Sequence, residues 1–148
     1  MLNKEFLGRG WSFPPSFDKS YAQVEMLNAE GDIKSSLEIL LGTALGERIL
    51  MPQYGCNMDE LVFENLNTTI KTLMKDKIET AILYHESRII LEQVELFDDR
   101  ELEGIIMIEI TYRVKATNSR FNFVFPFYKR EGTDINLATT LNLLPDTK

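Results

Sequence analysis

A single histidine and a single cysteine limit the catalytic chemistry that this sequence can support. His85 lies beside Glu86 at the end of a predicted helix, where adjacent side chains usually point apart. We therefore interpret His85 as a surface or helix-end residue and not as a general base. Cys56 has no base near it in the sequence, which favours a small buried side chain over a nucleophile.

Carboxylate pairs are the other candidates for catalysis, because glycoside hydrolases use two carboxyl groups about 5–10 Å apart. The chain has 23 acidic residues, so sets of neighbouring carboxylates arise by chance. The available ones include Glu47, Asp59, Glu60, Glu64 and Glu86. The sequence also lacks a two-histidine metal motif and a glycine-rich phosphate loop. We expect no catalytic residue, no metal site and no cofactor.

Two charged motifs are more informative than these isolated residues. The segment GERILMPQYGC (46–56) sets Glu47 beside Arg48 among turn-forming glycines and a proline. The segment ESRII (86–90) places Glu86 and Arg88 two residues apart at the start of a strand, so both side chains leave the same face. Each pair is either a local ion pair or a contact for the charges of a partner protein.

Hydrophobic periodicity predicts two amphipathic helices that would position these motifs. The first runs from Ile33 to Thr43 and is capped by Asp32. The second follows a cap at Asn67 or Thr68, and its apolar stripe is Ile70, Leu73, Met74, Ile78, Ala81 and Ile82. A short exposed strand is predicted over 21–27, and a short helical turn over 59–63.

Three strands are predicted after the second helix. Their faces are Ile90, Val94 and Leu96, with Glu92 as an exception, opposite Ile89, Leu91, Gln93 and Glu95; then Ile106, Ile108, Ile110, Tyr112 and Val114; and then Phe121, Phe123, Phe125 and Phe127. Pro126 cannot donate a ladder hydrogen bond, so the third strand should lie at a sheet edge. The predicted fold class is α+β, with a three-stranded antiparallel meander packed against two amphipathic helices, an aromatic N-terminal arm and a short C-terminal helical tail.

The length of 148 residues, 44% of them hydrophobic, predicts a single domain over 1–148. We divide it into an N-terminal arm (1–20), a core (21–130) and a C-terminal extension (131–148). In the arm, Trp11 and Phe13 either close the domain's own core or are ordered by a partner subunit. The apolar residues of the extension either cover the domain's own helices or bind a neighbouring subunit.

The net charge of −7 disfavours binding to nucleic acid and favours protein partners. No stretch has the length and apolar character of a membrane-spanning helix or a signal peptide, so we expect no membrane insertion and a cytoplasmic place of synthesis and assembly.

In these motifs the sequence resembles the lysozyme-like baseplate wedge family of contractile phage tails, type VI secretion systems and extracellular contractile injection systems. The resemblance rests on five features in order: GRGWSFPP (8–15), the helix from Ile33 to Leu41, GERILMPQYGC (46–56), ESRII (86–90) and FVFPFY (123–128). The family has a Glu-Pro-Arg signature before its first long strand. Here Ser87 replaces that proline between Glu86 and Arg88.

The resemblance implies a non-enzymatic baseplate subunit that joins wedge proteins and provides the platform for initiation of sheath assembly. It implies several copies in a six-fold assembly, with sheath protein and other wedge subunits as partners, in the bacterial cytoplasm or in the baseplate of an assembled particle. The candidate contact residues are Glu86, Arg88, Glu47, Arg48, Phe123, Phe125, Phe127, Tyr128, Trp11 and Phe13.

One consequence of this interpretation is that exchanging the charges of Glu86 and Arg88 should impair sheath assembly in a folded domain. The alternatives are a peptidoglycan-active lysozyme-like enzyme and a small adaptor that binds a regulatory protein.

Overall fold

A computed structural model of the chain describes residues 8–61 and 64–129. It contains seven strands and two α-helices in these ranges: β1 Arg9–Trp11, β2 Phe17–Asp18, β3 Gln23–Val24, β4 Met26–Asn28, α1 Glu30–Gly42, α2 Thr68–His85, β5 Ile89–Phe97, β6 Ile105–Val114 and β7 Arg120–Tyr128. Short 3₁₀ turns cover Asp59–Leu61 and Glu101–Glu103. The predicted mixture of two helices and antiparallel strands is confirmed.

The two helices begin in different ways. Asn67 caps α2, as predicted, because its side-chain oxygen accepts a hydrogen bond of 2.9 Å from the Ile70 backbone N–H. The predicted cap of α1 is wrong. That helix begins three residues earlier than expected, after Ala29, and no side chain caps it. Asp32 therefore lies inside the first turn, where its carboxylate is turned toward an arginine.

The core lies between the helices and the inner face of one three-stranded sheet. The strand order is β5-β6-β7, and both pairs are antiparallel. The central strand β6 alternates strictly, and the five residues predicted for its inner face, Ile106, Ile108, Ile110, Tyr112 and Val114, are all buried. They share one hydrophobic cluster with apolar residues of both helices, which are Ile33, Leu37, Leu40, Leu41, Met74, Ile78, Ala81 and Ile82. This hydrophobic cluster holds both helices against the inner face of the sheet.

A β-bulge corrects the predicted face pattern of β5. The register with β6 shifts between Leu91 and Gln93, so Glu92 has no partner residue in the ladder. One extra residue reverses the alternation of side chains. Before the bulge, Ile89 is therefore buried at 5% exposure and Ile90 is 43% exposed, the opposite of the prediction, whereas Val94 and Leu96 after the bulge are buried as expected.

β7, which contains Pro126, lies at one edge of the sheet, as predicted. Of the four phenylalanines on its inner face, Phe123 is buried, and Phe121, Phe125 and Phe127 pack against the core. The N–H group that Pro126 lacks is therefore not needed for pairing within the described part of the chain.

The described part of the arm contains β1 and β2, which pair with β4 and β3 of the following segment in two small antiparallel sheets. The predicted strand over 21–27 becomes two short strands separated by Glu25. Trp11 is 63% exposed and Phe13 is 48% exposed, so they do not close the core of the described residues as one alternative required. The predicted C-terminal helix and the end of the predicted turn over 59–63 lie outside the described residues.

Candidate functional site

Arg88 stands at the centre of a cluster of three charged side chains. Its Nε and one terminal nitrogen donate to the two oxygens of Glu86, at 2.7 and 2.6 Å. Its other terminal nitrogen donates to the Asp32 carboxylate at 2.6 Å. Asp32 lies in α1, Glu86 follows α2 and Arg88 precedes β5, so this Asp32–Arg88–Glu86 cluster joins three elements. The fork of the guanidinium suits such bidentate pairing.

The two carboxylates of this cluster are poorly exposed. Glu86 has only 3% of its surface exposed, and burial alone would raise its pKa. Hydrogen bonds from Arg88 and Ser36, together with the charge of Arg88, outweigh burial and hold the pKa of Glu86 below its usual value. The bonds to Glu86 in turn raise the pKa of Arg88 above its ordinary range. Both groups are therefore charged at neutral pH.

A lowered pKa makes the contribution of Glu86 to stability pH-dependent. Folding favours its charged form, so this contribution is present above the ordinary carboxyl pKa of 4.5 and is lost as the pH falls through the lower pKa of the folded state. We expect the wild type to lose more stability than Glu86→Gln between pH 5.5 and 3. Urea unfolding across this range measures the two slopes, and equal slopes would contradict the assignment.

The structure shows the first of the two alternatives for Glu86, the local ion pair with Arg88. Sequence spacing left open a contact with an external charge, but the carboxylate is buried and paired within the chain. Asp32 of α1 also lies close enough to bind Arg88, so the two carboxylates share one guanidinium. Sequence reasoning missed this part of the cluster, since Asp32 and Arg88 are 56 positions apart.

Glu47 and Arg48 form separate contacts and no ion pair with each other. Glu47 accepts a hydrogen bond of 3.0 Å from the Ala44 backbone N–H, and the Arg48 guanidinium lies 4.2 Å from the centre of the Tyr54 ring. The Tyr54 ring in turn lies 5.1 Å from that of His85. The local alternative of an ion pair is therefore replaced by a turn-stabilising bond and a cation–π contact.

The same segment exposes three apolar side chains that the sequence analysis did not single out. Ile49 and Leu50 are 93% and 95% exposed, and Met51 is more than half exposed. The signal in the sequence is the uninterrupted run of apolar residues between Arg48 and Pro52. Exposed apolar side chains next to one another are typical of protein interfaces.

The side chains of the third strand contribute unequally to the surface. Phe123 is buried, and Phe125 and Phe127 are partly buried in the core, so their aromatic rings mainly stabilise this chain. Val124 and Tyr128 are exposed on the opposite face. The part of β7 that is open to another molecule is therefore its outer face and its backbone edge.

The residues predicted to lack catalytic roles have structural contacts. Cys56 is buried. A nitrogen of His85, the last residue of α2, lies 3.0 Å from the Gln53 carbonyl. Both residues border a groove of about 770 Å³, of which Asp76 is the one lining carboxylate among the described residues. Where the pKa of a described carboxyl group departs clearly from its usual value, it is lowered, in Glu60, Glu86, Asp98 and Glu101. Hydrogen bonds and ion pairs with neighbouring residues lower these pKa values.

Within residues 8–61 and 64–129, no group of three or more potential metal-binding side chains occurs, and no helix is long and apolar enough to cross a membrane.

Comparison with known proteins identifies the family of the chain. The family described as baseplate wedge protein gp25 matches residues 28–119, more than half of the chain. Baseplate wedge protein gp25 of Enterobacteria phage T4 is 29% identical over 85 residues, which are 55% of this chain and 61% of the T4 protein. This chain thus matches less than two thirds of the T4 protein.

Two solved structures share the fold. A Geobacter sulfurreducens protein with the provisional name of tail lysozyme is 43% identical, with a TM-score of 0.67, over 71% of this chain and 95% of its own. A chain of the anti-feeding prophage baseplate, determined with six-fold symmetry, is 27% identical, with a TM-score of 0.63, over 95% of this chain and 98% of its own. The family that the sequence motifs indicate is confirmed, and the chain belongs to the baseplate wedge protein gp25 family.

Proposed function

We propose that the chain is a non-enzymatic structural subunit of the baseplate of a contractile injection machine, and that the edge of β7 is where a sheath subunit adds a strand. The observation that carries the second part is the backbone of β7, which pairs with β6 on one side only among the described strands. An unpaired strand edge can accept a strand from another chain. The similarity to a chain of a six-fold baseplate supports a role in several copies.

The backbone pattern of β7 identifies the groups at the open edge. In an antiparallel pair, alternate residues turn their N–H and C=O toward the partner strand. Lys129 donates to the Gly104 carbonyl and Ser119 accepts from the Val114 N–H, so residues of odd number face β6. The backbone groups of residues of even number therefore point away from β6, among them those of Asn122, Val124 and Pro126. The first two offer donors and acceptors, and Pro126 ends the usable edge because it has no donor.

This arrangement permits a selective test with Val124→Pro. A proline at 124 removes one outward donor but no hydrogen bond to β6, since Pro126 already occupies the equivalent position in the register. We expect a folded chain that enters the baseplate but reduces the number of sheathed particles at least tenfold. The measurement is electron microscopy of particles produced from the complete gene cluster that carries the variant.

Val124→Thr is the matched control, because it changes the side chain but keeps the outward N–H. We expect sheathed particles at wild-type numbers from this control. Circular dichroism and thermal unfolding of both purified variants establish that the domain is folded. Normal sheath assembly with Val124→Pro would contradict strand addition at β7 but not membership in the baseplate.

The remaining candidate contact residues divide by exposure. We propose that exposed Trp11, Phe13 and Tyr128, with Glu47 and Arg48, contact wedge or sheath subunits directly. Aromatic residues and arginine are enriched at such interfaces. For buried Glu86 and its partner Arg88, we propose that they act on assembly through the position of the elements that they join.

Charge exchange between Glu86 and Arg88 is therefore not a clean test of an external contact. It would place a carboxylate at position 88 next to Asp32, and this repulsion would disturb the domain itself. We expect Glu86→Arg with Arg88→Glu to reduce the folded fraction. This outcome differs from the one that the sequence interpretation implies, and urea unfolding of the purified double variant distinguishes them.

Lysozyme-like activity is the competing function, because a relative carries that name. The family description as a wedge protein supports the structural role instead. We propose assembly in the bacterial cytoplasm, followed by incorporation into a baseplate. Release of labelled fragments from purified peptidoglycan at a rate above that of the buffer would overturn the non-enzymatic part of this proposal.

A further inference from the structure

Gly8 and Gly10 of the arm lie directly against the Asp32–Arg88–Glu86 cluster. A Cβ atom on Gly10 would overlap the Asp32 carboxylate. A Cβ atom on Gly8 would lie 3.5 Å from a terminal nitrogen of Arg88 and 3.9 Å from Asp32. The backbone of the arm therefore passes over the cluster with no space for a side chain at position 10.

Asp32 is held in the position that makes this close approach possible. Its carboxylate accepts a bond of 2.6 Å from Arg88, which is itself fixed through two bonds to buried Glu86. Without that bond, the aspartate could rotate among the staggered conformations that solvent permits. The cluster thus presents a carboxylate of defined position to the underside of β1.

The arm is also attached through strand pairing, of β1 with β4 and of β2 with β3. Further backbone hydrogen bonds hold the arm in place: the N–H groups of Ser12, Glu25 and Ala29 donate to the carbonyls of Glu25, Ser16 and Gly8, respectively. The first two join the arm to Glu25, which lies between β3 and β4, and the third joins Gly8 to the residue before α1. Aromatic side chains of the arm are mostly exposed and add little apolar burial.

We propose that the Asp32–Arg88–Glu86 cluster is the seat of the N-terminal arm, and that Gly10 is required because the arm packs on the Asp32 carboxylate. The cluster is then a positioning device that sets the direction in which Trp11 and its neighbours are presented. This inference concerns the isolated chain and does not depend on the proposed baseplate function.

Amide hydrogen exchange of the purified chain tests the proposal. Gly10→Ala should increase the exchange rates of the Ser12, Glu25 and Ala29 amides at least tenfold, while amides of β6 keep their protection. Protection of β6 shows that the domain remains folded. Rates within twofold of wild type at all three arm amides would overturn the proposal.

Gly42→Ala is the matched control. A Cβ at position 42 meets nothing within 4 Å, and neither Gly10 nor Gly42 has the positive φ that would strain an alanine. The two substitutions make the same chemical change, with a close contact at the new methyl group in β1 and none at the end of α1. We expect wild-type exchange of the arm amides in Gly42→Ala, and faster exchange there would count against the proposed seat.

A double-mutant cycle distinguishes contact with Asp32 from other effects of the added methyl group. Asp32→Ala removes both the seat and the atom that the methyl group would overlap. In that background, Gly10→Ala should change the exchange of the arm amides less than twofold. A full tenfold increase in the Asp32→Ala background would show that the clash lies elsewhere and would overturn the assignment.

Discussion

Arg88→Ala is expected to lower the free energy of unfolding by about 3–5 kcal/mol, the range found when one partner of a buried ion pair is removed. The substitution leaves two poorly exposed carboxylates, Glu86 and Asp32, without the guanidinium that pairs with both. Their mutual repulsion adds to the cost of keeping Glu86 away from water. Urea unfolding at pH 7 measures the change.

Arg100→Ala provides the comparison for this prediction. Arg100 also forms a close ion pair, with Glu103, but both side chains are more than half exposed. Exposed pairs of this kind contribute about 0–1 kcal/mol. If Arg88→Ala cost no more than Arg100→Ala, the cluster would not be a major source of stability. Arg88→Lys should recover little, since the donors of an ammonium group share one nitrogen and cannot match the three guanidinium nitrogens used here.

Gly55→Ala is the second substitution with a large expected effect. At φ +128° the residue adopts a conformation that side chains rarely tolerate, and a Cβ atom there would overlap the backbone carbonyl of Thr43. The adjacent hydrogen bond of 2.9 Å from Cys56 to that carbonyl would be disrupted. We expect a loss of about 2–5 kcal/mol, which combines backbone strain with overpacking. Thermal or urea unfolding provides the measurement.

Gly46→Ala separates the two causes of that loss. Gly46 also has a positive φ, +84°, but a Cβ atom there would meet nothing within 4 Å. We expect this variant to lose about 1–2 kcal/mol from backbone strain alone. Equal losses in the two variants would mean that close packing against the end of α1 is unimportant. Such a result would contradict the structural role assigned to Gly55.

Local periodicity was sufficient to predict most elements of the core. The inner face of β6 matches the prediction in all five residues, and the predicted stripe of α2 is buried at Met74, Ile78, Ala81 and Ile82. Leu73, which was also predicted for that stripe, is 42% exposed. Pro126 indicated an edge strand because its missing donor is a property of the residue itself. These features depend on neighbours in the sequence, so the sequence contains the information directly.

Features that depend on pairing between distant segments were predicted less well. The bulge at Glu92 is a matter of register with β6, and the sequence showed it only as a charge on a face that should be apolar. Asp32 was interpreted as a helix cap because caps favour aspartate, while its partner Arg88 is far away in the sequence. Burial of Glu86 has the same origin. The sequence thus located the charged motif of the candidate site but did not show that Glu86 is buried or that Arg88 also binds Asp32.

Glycines show the same division between local and distant causes. Turn propensity explains Gly46, whereas the need for glycine at Gly10 arises from α1 and at Gly55 from the end of that helix. A sequence alone does not distinguish a glycine that permits a turn from one that permits contact. The sequence therefore showed the segment GRG (8–10) of the arm but not why position 10 must be glycine.

The two edges of the main sheet are unequal, and this gives strand addition a direction. Beside β5, the bulge at Glu92 interrupts the regular spacing of donors and acceptors that an added strand must match. Beside β7, the spacing is regular up to Pro126. The proposed strand addition is therefore expected at the edge of β7 and not equally at the edge of β5.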